Sequence, residues 1–309
     1  MAEIDYADMD RRKALIYGMP GAKMAEHFES LNRASRVFSG NALALARQVG
    51  LFTGTDAFID NLGEDYGHET DRLFHNFLAS VGSLRDIQRA VHRKIWPAPP
   101  GKNTHSQWEL SVYTPRAKDL FGTTESTFIQ DLRNYNVHYD LPAVSGSTNI
   151  SWKQGGPVVQ SNALRLNKSK LLRYKNWSSN SKKYLANQGE WVDFLPALEV
   201  YTKSVQEFYG WFWASAKDEL DPEFSDFDYS FTEFGLWQSE DLRWRDWRMS
   251  LHPTNGVDDP PAVAKAIYAN AKLDRWAHGS RSWRIFQCAV DGQPKQIGDD
   301  PWGLPPRSP

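Results

Sequence analysis

Three polar residues within six positions, Arg133, Asn134 and His138, combine side-chain types that suit phosphoryl-transfer chemistry on RNA. A guanidinium can hold a phosphate, and an imidazole titrates near neutral pH. All three lie in the stretch 127–142, where Phe128, Leu132, Tyr135 and Tyr139 recur at i, i+4, i+7 and i+11. That spacing predicts a helix with one buried stripe, and the three polar residues fall off the stripe. Thr124 or Ser126 supplies a hydroxyl to cap its start. Pro142 biases Leu141 away from helical geometry, so the helix is expected to stop near Tyr139 or Asp140. His138 then sits in the last turn.

Elements long enough to hold such a helix lie on both sides of it. Over 69–95, Leu73, Phe74, Phe77, Leu78, Val81, Leu84, Ile87, Val91 and Ile95 step by three and four. This predicts a long amphipathic helix, stopped by the three prolines of 96–101. His75, Asn76, Arg85, Asp86 and Arg89 fall on its polar flanks. Over 190–217, Phe194, Leu195, Leu198, Tyr201, Val205, Phe208, Phe212 and Trp213 mark a second buried face. A third helical pattern covers 22–51 on Phe28, Leu31, Phe38, Leu45 and Val49, with Gly40 as a point of interruption. Residues 1–20 read as polar and end in a turn. A short helix is expected within 55–62, and some helical character near 108–113 inside a connection over 97–125.

After Pro142 the texture changes. Residues 144–153 and 157–166 are rich in Ser, Asn, Thr and β-branched types, with Gly155 and Gly156 between them, which predicts a β-hairpin. Short helices are expected to follow from 167 and over 179–186. Between positions 141 and 189 eight bases face no acid, a local charge of +8. Lys168, Lys170, Arg173, Lys175, Lys182 and Lys183 are the candidates for RNA phosphates, and the interleaved Tyr174 and Trp177 suit base stacking. Nine acids between 218 and 241, with no base among them, are the alternative partners for those charges. Residues 221–250 read as less regular. A helix is expected over 260–277, from the prolines at its start to Gly279. A strand carrying Cys288 is expected over 282–290, and an extended tail over 293–309.

Whole-chain numbers bound the reading. The 309 residues carry a net charge of -2, so any nucleic-acid signal must be local. Thirteen tryptophans predict a core dominated by flat side chains. A single cysteine, Cys288, excludes a disulfide within one chain and any Cys-based zinc site. No apolar run approaches the ~18 residues of a membrane span. The first residues lack the basic-then-apolar pattern of a signal peptide. The expectation is a cytoplasmic protein without membrane contact. His68 and His75, near Asp65 and Glu69, lack a third ligand at an obvious spacing, so no metal is expected. No phosphate-binding P-loop, GxSxG elbow or HExxH helix occurs.

Arg133-Asn134 followed three residues later by His138 resembles the R-N-x3-H form of the R-x4-H signature of the HEPN superfamily (higher eukaryotes and prokaryotes nucleotide-binding). Its context fits the resemblance. A long helix holding Leu73-Phe74-His75-Asn76-Phe77-Leu78-Ala79-Ser80 precedes it, and another long helix follows. The likeness covers roughly 25–220. It implies a mainly α HEPN-like helical bundle that cleaves RNA without a metal ion or other cofactor. It also implies a homodimer in which two R-x4-H helices face each other, and a setting in toxin–antitoxin or anti-phage defence with an antitoxin or regulatory partner. By the same resemblance His138 is the acid/base, Arg133 the phosphate clamp and Asn134 the residue that orients the site.

The physical chemistry agrees with those roles. Cleavage by the 2′-hydroxyl needs one proton removed and one delivered to the leaving oxygen, and imidazole can do either. The phosphorane carries extra negative charge that a guanidinium can hold bidentately. The negative end of the helix dipole suits a proton donor. Residues five apart are turned about 140° around a helix, so one copy does not aim Arg133 and His138 at one phosphate. A second copy would complete the site. The expected plan is a HEPN-like domain over 22–220 with an insertion near 143–189, an aromatic-rich C-terminal extension over 221–292, and a tail over 293–309. The rival reading is a non-catalytic HEPN-like helical binding or scaffold protein.

Overall fold

A computed structural model describes residues 6–54, 59–63, 65–101, 105–152 and 159–240. They form α1 (Tyr6–Tyr17), α2 (Pro20–Thr53), a 3-10 turn (Ile59–Leu62), α3 (Asp65–Ile95), a π-turn (Glu109–Tyr113), α4 (Thr114–Phe121) and α5 (Thr124–His138). Then come β1 (Val144–Ser151), β2 (Val159–Asn167), α6 (Lys168–Leu171), α7 (Ser179–Ala186), β3 (Trp191–Val192) and α8 (Leu195–Glu240). The fold is mainly α with a small antiparallel sheet, as the periodicities predict. The helix over 260–277, the strand with Cys288, the tail and Lys153 lie outside the described residues. No helix among the described residues is long and apolar enough to cross a membrane.

Two compact units divide the chain. Among the described residues one takes 6–32 and 212–240, and the other 33–211. The first is built on α1, the start of α2 and the later part of α8. Phe28 stacks at a tilt on Trp213, with ring centroids 4.6 Å apart. Gly21 lets α2 approach α8 closely, because an added Cβ would lie 2.7 Å from Cβ of Phe227 and collide with the Glu223 carbonyl oxygen. The helix expected over 190–217 starts at Leu195, after β3, and runs on to Glu240. Buried Phe212, Ala216, Leu220 and Phe227 continue its apolar stripe through the acidic run that hid it. α1 was not expected, since only Met9 and Ile16 on it are buried.

The second unit holds the helices around α5. Leu73, Phe74, Phe77, Leu78, Val81 and Leu84 of α3 are all buried, as their spacing requires. Phe38 of α2 meets Phe77 at 5.4 Å, and Phe74 meets Phe194 at 4.7 Å. Gly40 does not interrupt α2; an added Cβ there would meet nothing within 4 Å. β1 and β2 pair antiparallel from Val144–Leu166 to Ser151–Val159, and β3 adds two residues to β2. The hairpin is tied to the helices at two points. Val144 N donates to Asp71 Oδ1 at 2.9 Å, and Asn162 Nδ2 to the Phe52 carbonyl at 3.0 Å.

A buried polar group joins α3 to the π-turn. His92 is fully buried and stacks on Tyr113 at 4.1 Å. Its Nε2 lies 3.5 Å from Oε2 of the buried Glu109, while Glu109 Oε1 lies 3.2 Å from Arg93 and 2.8 Å from His105. Burial holds His92 below its ordinary range, against the pull of Glu109. Burial alone would raise Glu109, but Arg93, His105 and His92 together hold it below the carboxylate range. Both folded-state values are depressed, so the unfolded chain binds protons first as pH falls. Stability is therefore expected to drop as pH falls below about 6.5, by at most about 1.4 kcal/mol per pH unit for His92 alone. Urea midpoints at mildly alkaline and mildly acidic pH check this. His92→Phe, which keeps a ring against Tyr113, should flatten the drop. An equal drop in both proteins would remove His92 from the account.

Candidate functional site

α5 starts where the chain leaves an extended residue, Thr123, whose hydroxyl accepts from Ser126 N at 3.1 Å. The cap is thus one residue before the expected Thr124 and three before Ser126. Phe128, Ile129, Leu132 and Tyr135 bury one face of α5. Phe128 packs on Tyr184 at 4.6 Å and on Trp177 at 5.7 Å. Asp131 fixes α7 against the same helix: its Oδ2 accepts from Ser178 N at 2.8 Å and from Ser181 Oγ at 2.7 Å. The helix ends at His138, and Tyr139 turns out of it at φ -134°. Tyr139 is therefore 50 % exposed rather than part of the buried stripe.

Arg133 faces α3. Its guanidinium rests on Gly82, where an added Cβ would lie 2.6 Å from Nη2 and 2.7 Å from Cζ and would also strike Nε. Nη1 donates to Asn134 Oδ1 at 3.2 Å, and the buried Nε has no hydrogen-bond partner among the described residues. Asp86, an acid one turn along α3, pairs with Arg85 at 3.2 Å instead. Among the described residues no carboxylate forms an ion pair with Arg133. His138 is exposed, four residues from Asn134 and on its side of the helix. No hydrogen bond joins Arg133 to His138 among the described residues, which agrees with their 140° offset.

One polar contact at this end of the seam was not anticipated. The side-chain amide of buried Asn136 lies 3.0–3.1 Å from Nδ1 of His75 on α3. α3 and α5 thus run antiparallel, with His75 beside Asn136 and Gly82 beside Arg133. Asn136 lies on the buried side of α5, so it reads from sequence as packing. Gly82 carries more signal: a glycine inside a strong helix costs about 1 kcal/mol against alanine and asks for a reason. Among the described residues no group of three His, Cys, Asp or Glu is placed to hold a metal ion.

The six basic candidates do not behave alike. Lys170, Arg173, Lys175, Lys182 and Lys183 are exposed, on or next to α6 and α7. Lys168 is half-buried and donates to the Gln188 carbonyl at 2.6 Å, so it holds the chain before β3. None of the six is in an ion pair among the described residues. The interleaved aromatics are core, not platforms for bases. Tyr174 and Trp177 are buried, and Trp177 Nε1 donates to the Leu171 carbonyl at 2.9 Å. Their rings lie against Tyr135 at 5.6 and 5.8 Å, closing off the faces that a base would use.

The arrangement is a helix with a guanidinium that is in no ion pair among the described residues on one side, an exposed imidazole at its end, and exposed bases on the elements that follow. Compared with family models, curated proteins and solved structures, the chain matches none.

Proposed function

We propose that the chain is a metal-independent RNA endonuclease of the HEPN type, acting through two facing copies of α5. The observation that carries this is Arg133, a guanidinium seated on Gly82 and in no ion pair among the described residues. A cation kept in that condition at a helix–helix seam suits a phosphate clamp. His138 is exposed one and a half turns further on, free to reach a phosphate held by a second copy. Its imidazole moves the proton: from the 2′-hydroxyl as base, or to the 5′-oxygen as acid. Arg133 holds the charge that builds on the phosphorane. Exposed Lys170, Arg173, Lys175, Lys182 and Lys183 draw the backbone in, through charge and without base stacking. On this reading the chain acts in the cytoplasm as a toxin or anti-phage effector, restrained by an antitoxin or regulatory partner.

The burial of Tyr174 and Trp177 favours a second reading, a helical binding or scaffold protein that keeps the fold without the chemistry. An RNA-degradation assay in excess EDTA separates the two. Cleavage of mixed RNAs is expected to persist in EDTA and to vanish in His138→Ala. Loss of cleavage on adding EDTA rejects the metal-free mechanism. Equal inactivity of the native protein and His138→Ala at high concentration favours the scaffold.

A further inference from the structure

A cavity of about 730 Å3 lies apart from the R-x4-H residues, bounded by the C-terminal half of α3, the π-turn, α4, α5 and α8. That volume lies in the range of small-molecule sites. Its floor is hydrocarbon. Leu84, Tyr113, Tyr201, Val205, Phe208 and Tyr209 line it and are each less than a tenth exposed. Two of the phenols turn their oxygens into the protein: the Tyr113 hydroxyl donates to Gln88 Oε1, and the Tyr209 hydroxyl to the Leu84 carbonyl at 3.3 Å. Phe121 of α4 adds a further ring, its centroid 5.6 Å from Tyr201 and 5.4 Å from Phe208. The buried polar atoms close by offer nothing to an occupant. Gln88 Nε2, Glu109 Oε2 and His105 Nδ1 have no hydrogen bond among the described residues and almost no surface. Glu109 Oε2 faces His92 at 3.5 Å, and His105 Nδ1 faces Glu109 Oε1 at 2.8 Å. These atoms belong to the packing around His92.

The mouth has the opposite character. Arg85, Arg89, Arg93 and Lys118 line it, and the last three are exposed. Among the lining residues Glu109 is the one acid, and it is taken up by Arg93, His105 and His92. Arg85 pairs with Asp86, and Arg89 donates to the Tyr113 hydroxyl. Each of these contacts leaves further N–H donors on the guanidinium. Lys118 forms no ion pair among the described residues. The three arginines repeat at four-residue steps on α3, a like-charge ridge that an anion would relieve. A neutral ring would leave the cations unmet, and a bare acetate or phosphate would leave the hydrocarbon floor uncovered. An apolar acid meets both. A flat ring suits this floor better than an alkyl chain, because ring pairs gain attraction beyond the area they bury.

We propose that this cavity binds an aromatic carboxylate, its flat body on Tyr113, Phe121 and Phe208 and its carboxylate at the cationic mouth on Lys118. The site stands independently of the cleavage reading, since none of these residues belongs to the R-x4-H motif. Gln130 of α5 lines the cavity one turn from Arg133, so an occupant would touch the helix that carries the motif. Calorimetric titration of the full chain with 2-naphthoate is the test, with 2-naphthalenemethanol, decanoate and acetate as parallel ligands. Saturable binding of 2-naphthoate is expected, at least about tenfold tighter than the alcohol of the same body, which lacks the charge. Decanoate should bind about threefold more weakly or worse, for want of a ring, and acetate not at all. Lys118→Glu, at an exposed position, should weaken 2-naphthoate about tenfold or more. Ala117→Trp, which sets an indole into the cavity from α4, should abolish binding. Both variants should keep the helical circular dichroism of the native chain. No saturable binding at millimolar 2-naphthoate overturns the proposal, as does binding that either variant leaves intact. Equal affinity for the alcohol overturns the role of the cations, and decanoate binding as tightly as 2-naphthoate overturns the aromatic body.

Discussion

Co-expressing His138→Ala chains with Arg133→Ala chains is expected to restore RNA cleavage that neither variant shows alone. Each single variant should lose about two to four orders of magnitude, the usual worth of a general acid/base or of one transition-state donor. The rescue follows from geometry. Arg133 is turned towards α3 and sits on Gly82, while His138 is exposed at the end of α5, with no hydrogen bond between them among the described residues. If two copies face each other about a two-fold axis, each phosphate takes Arg133 from one chain and His138 from the other. A mixed dimer then has one site with both residues and one with neither. Random pairing makes about half of all dimers mixed, with one good site of two, so about a quarter of native activity returns. A site formed within a single chain gives no rescue. The reverse mixture sharpens the comparison. Native chains paired with chains lacking both residues keep about a quarter of native activity in the composite arrangement and about half in the single-chain one. Size-exclusion or mass measurements on the same samples must show the mixed dimers, so that failed rescue is not mistaken for failed assembly.

The helices were legible in the sequence wherever apolar residues recur at steps of three and four on a face that is truly buried. α3 is the clearest case, since Leu73 to Leu84 need no knowledge of their partners to be read. β1 and β2 were equally plain, because the glycine pair at 155–156 separates two β-rich runs. α1 escaped because its exposed Leu15 and Tyr17 spoil the stripe that Met9 and Ile16 begin. The later part of α8 escaped for the opposite reason: acids are frequent in its sequence, with Glu219, Glu223 and Asp226 exposed, and they mask a stripe that continues through Phe227. Tyr139 was misplaced by one turn of reasoning, since its spacing extrapolates a helix that ends one residue earlier.

The candidate site was half legible. Residue types and spacing mark Arg133, Asn134 and His138, but not what they lie against. Tyr174 and Trp177 show why local reading stops there. A tyrosine and a tryptophan among lysines suit a base-stacking surface or a small core equally well, and only the packing of α5, α6 and α7 decides for the core. The cavity on α3 was invisible for a different reason. Its groups come from positions 88, 109, 118, 130 and 209, which no window of sequence joins. One hint existed. Arg85, Arg89 and Arg93 repeat at four-residue steps, a ridge of like charge that opposes helix formation and calls for compensation from elsewhere.

Gly82→Ala is expected to lower RNA cleavage by about two orders of magnitude while leaving the chain folded. In most helices that exchange helps, by up to about 1 kcal/mol, because alanine is the better helix former. At Gly82 the new methyl group would occupy the space of the Arg133 guanidinium, 2.6 Å from Nη2 and 2.7 Å from Cζ. What it strikes is the far part of a flexible side chain rather than backbone, so the arginine swings away and the helices keep their packing. The net change in stability is then small, with the alanine gain set against the displaced guanidinium. The loss falls on catalysis: a clamp moved by an ångström or more no longer meets the charge developing on the phosphate, at a cost of about 10²–10³ in rate. Gly40→Ala on α2 is the control, because nothing lies within 4 Å of its added Cβ. It should raise the melting temperature and leave cleavage untouched. Full activity in Gly82→Ala would mean that Arg133 does not act from its seat on α3, and the clamp would have to be sought among the exposed bases of α6 and α7.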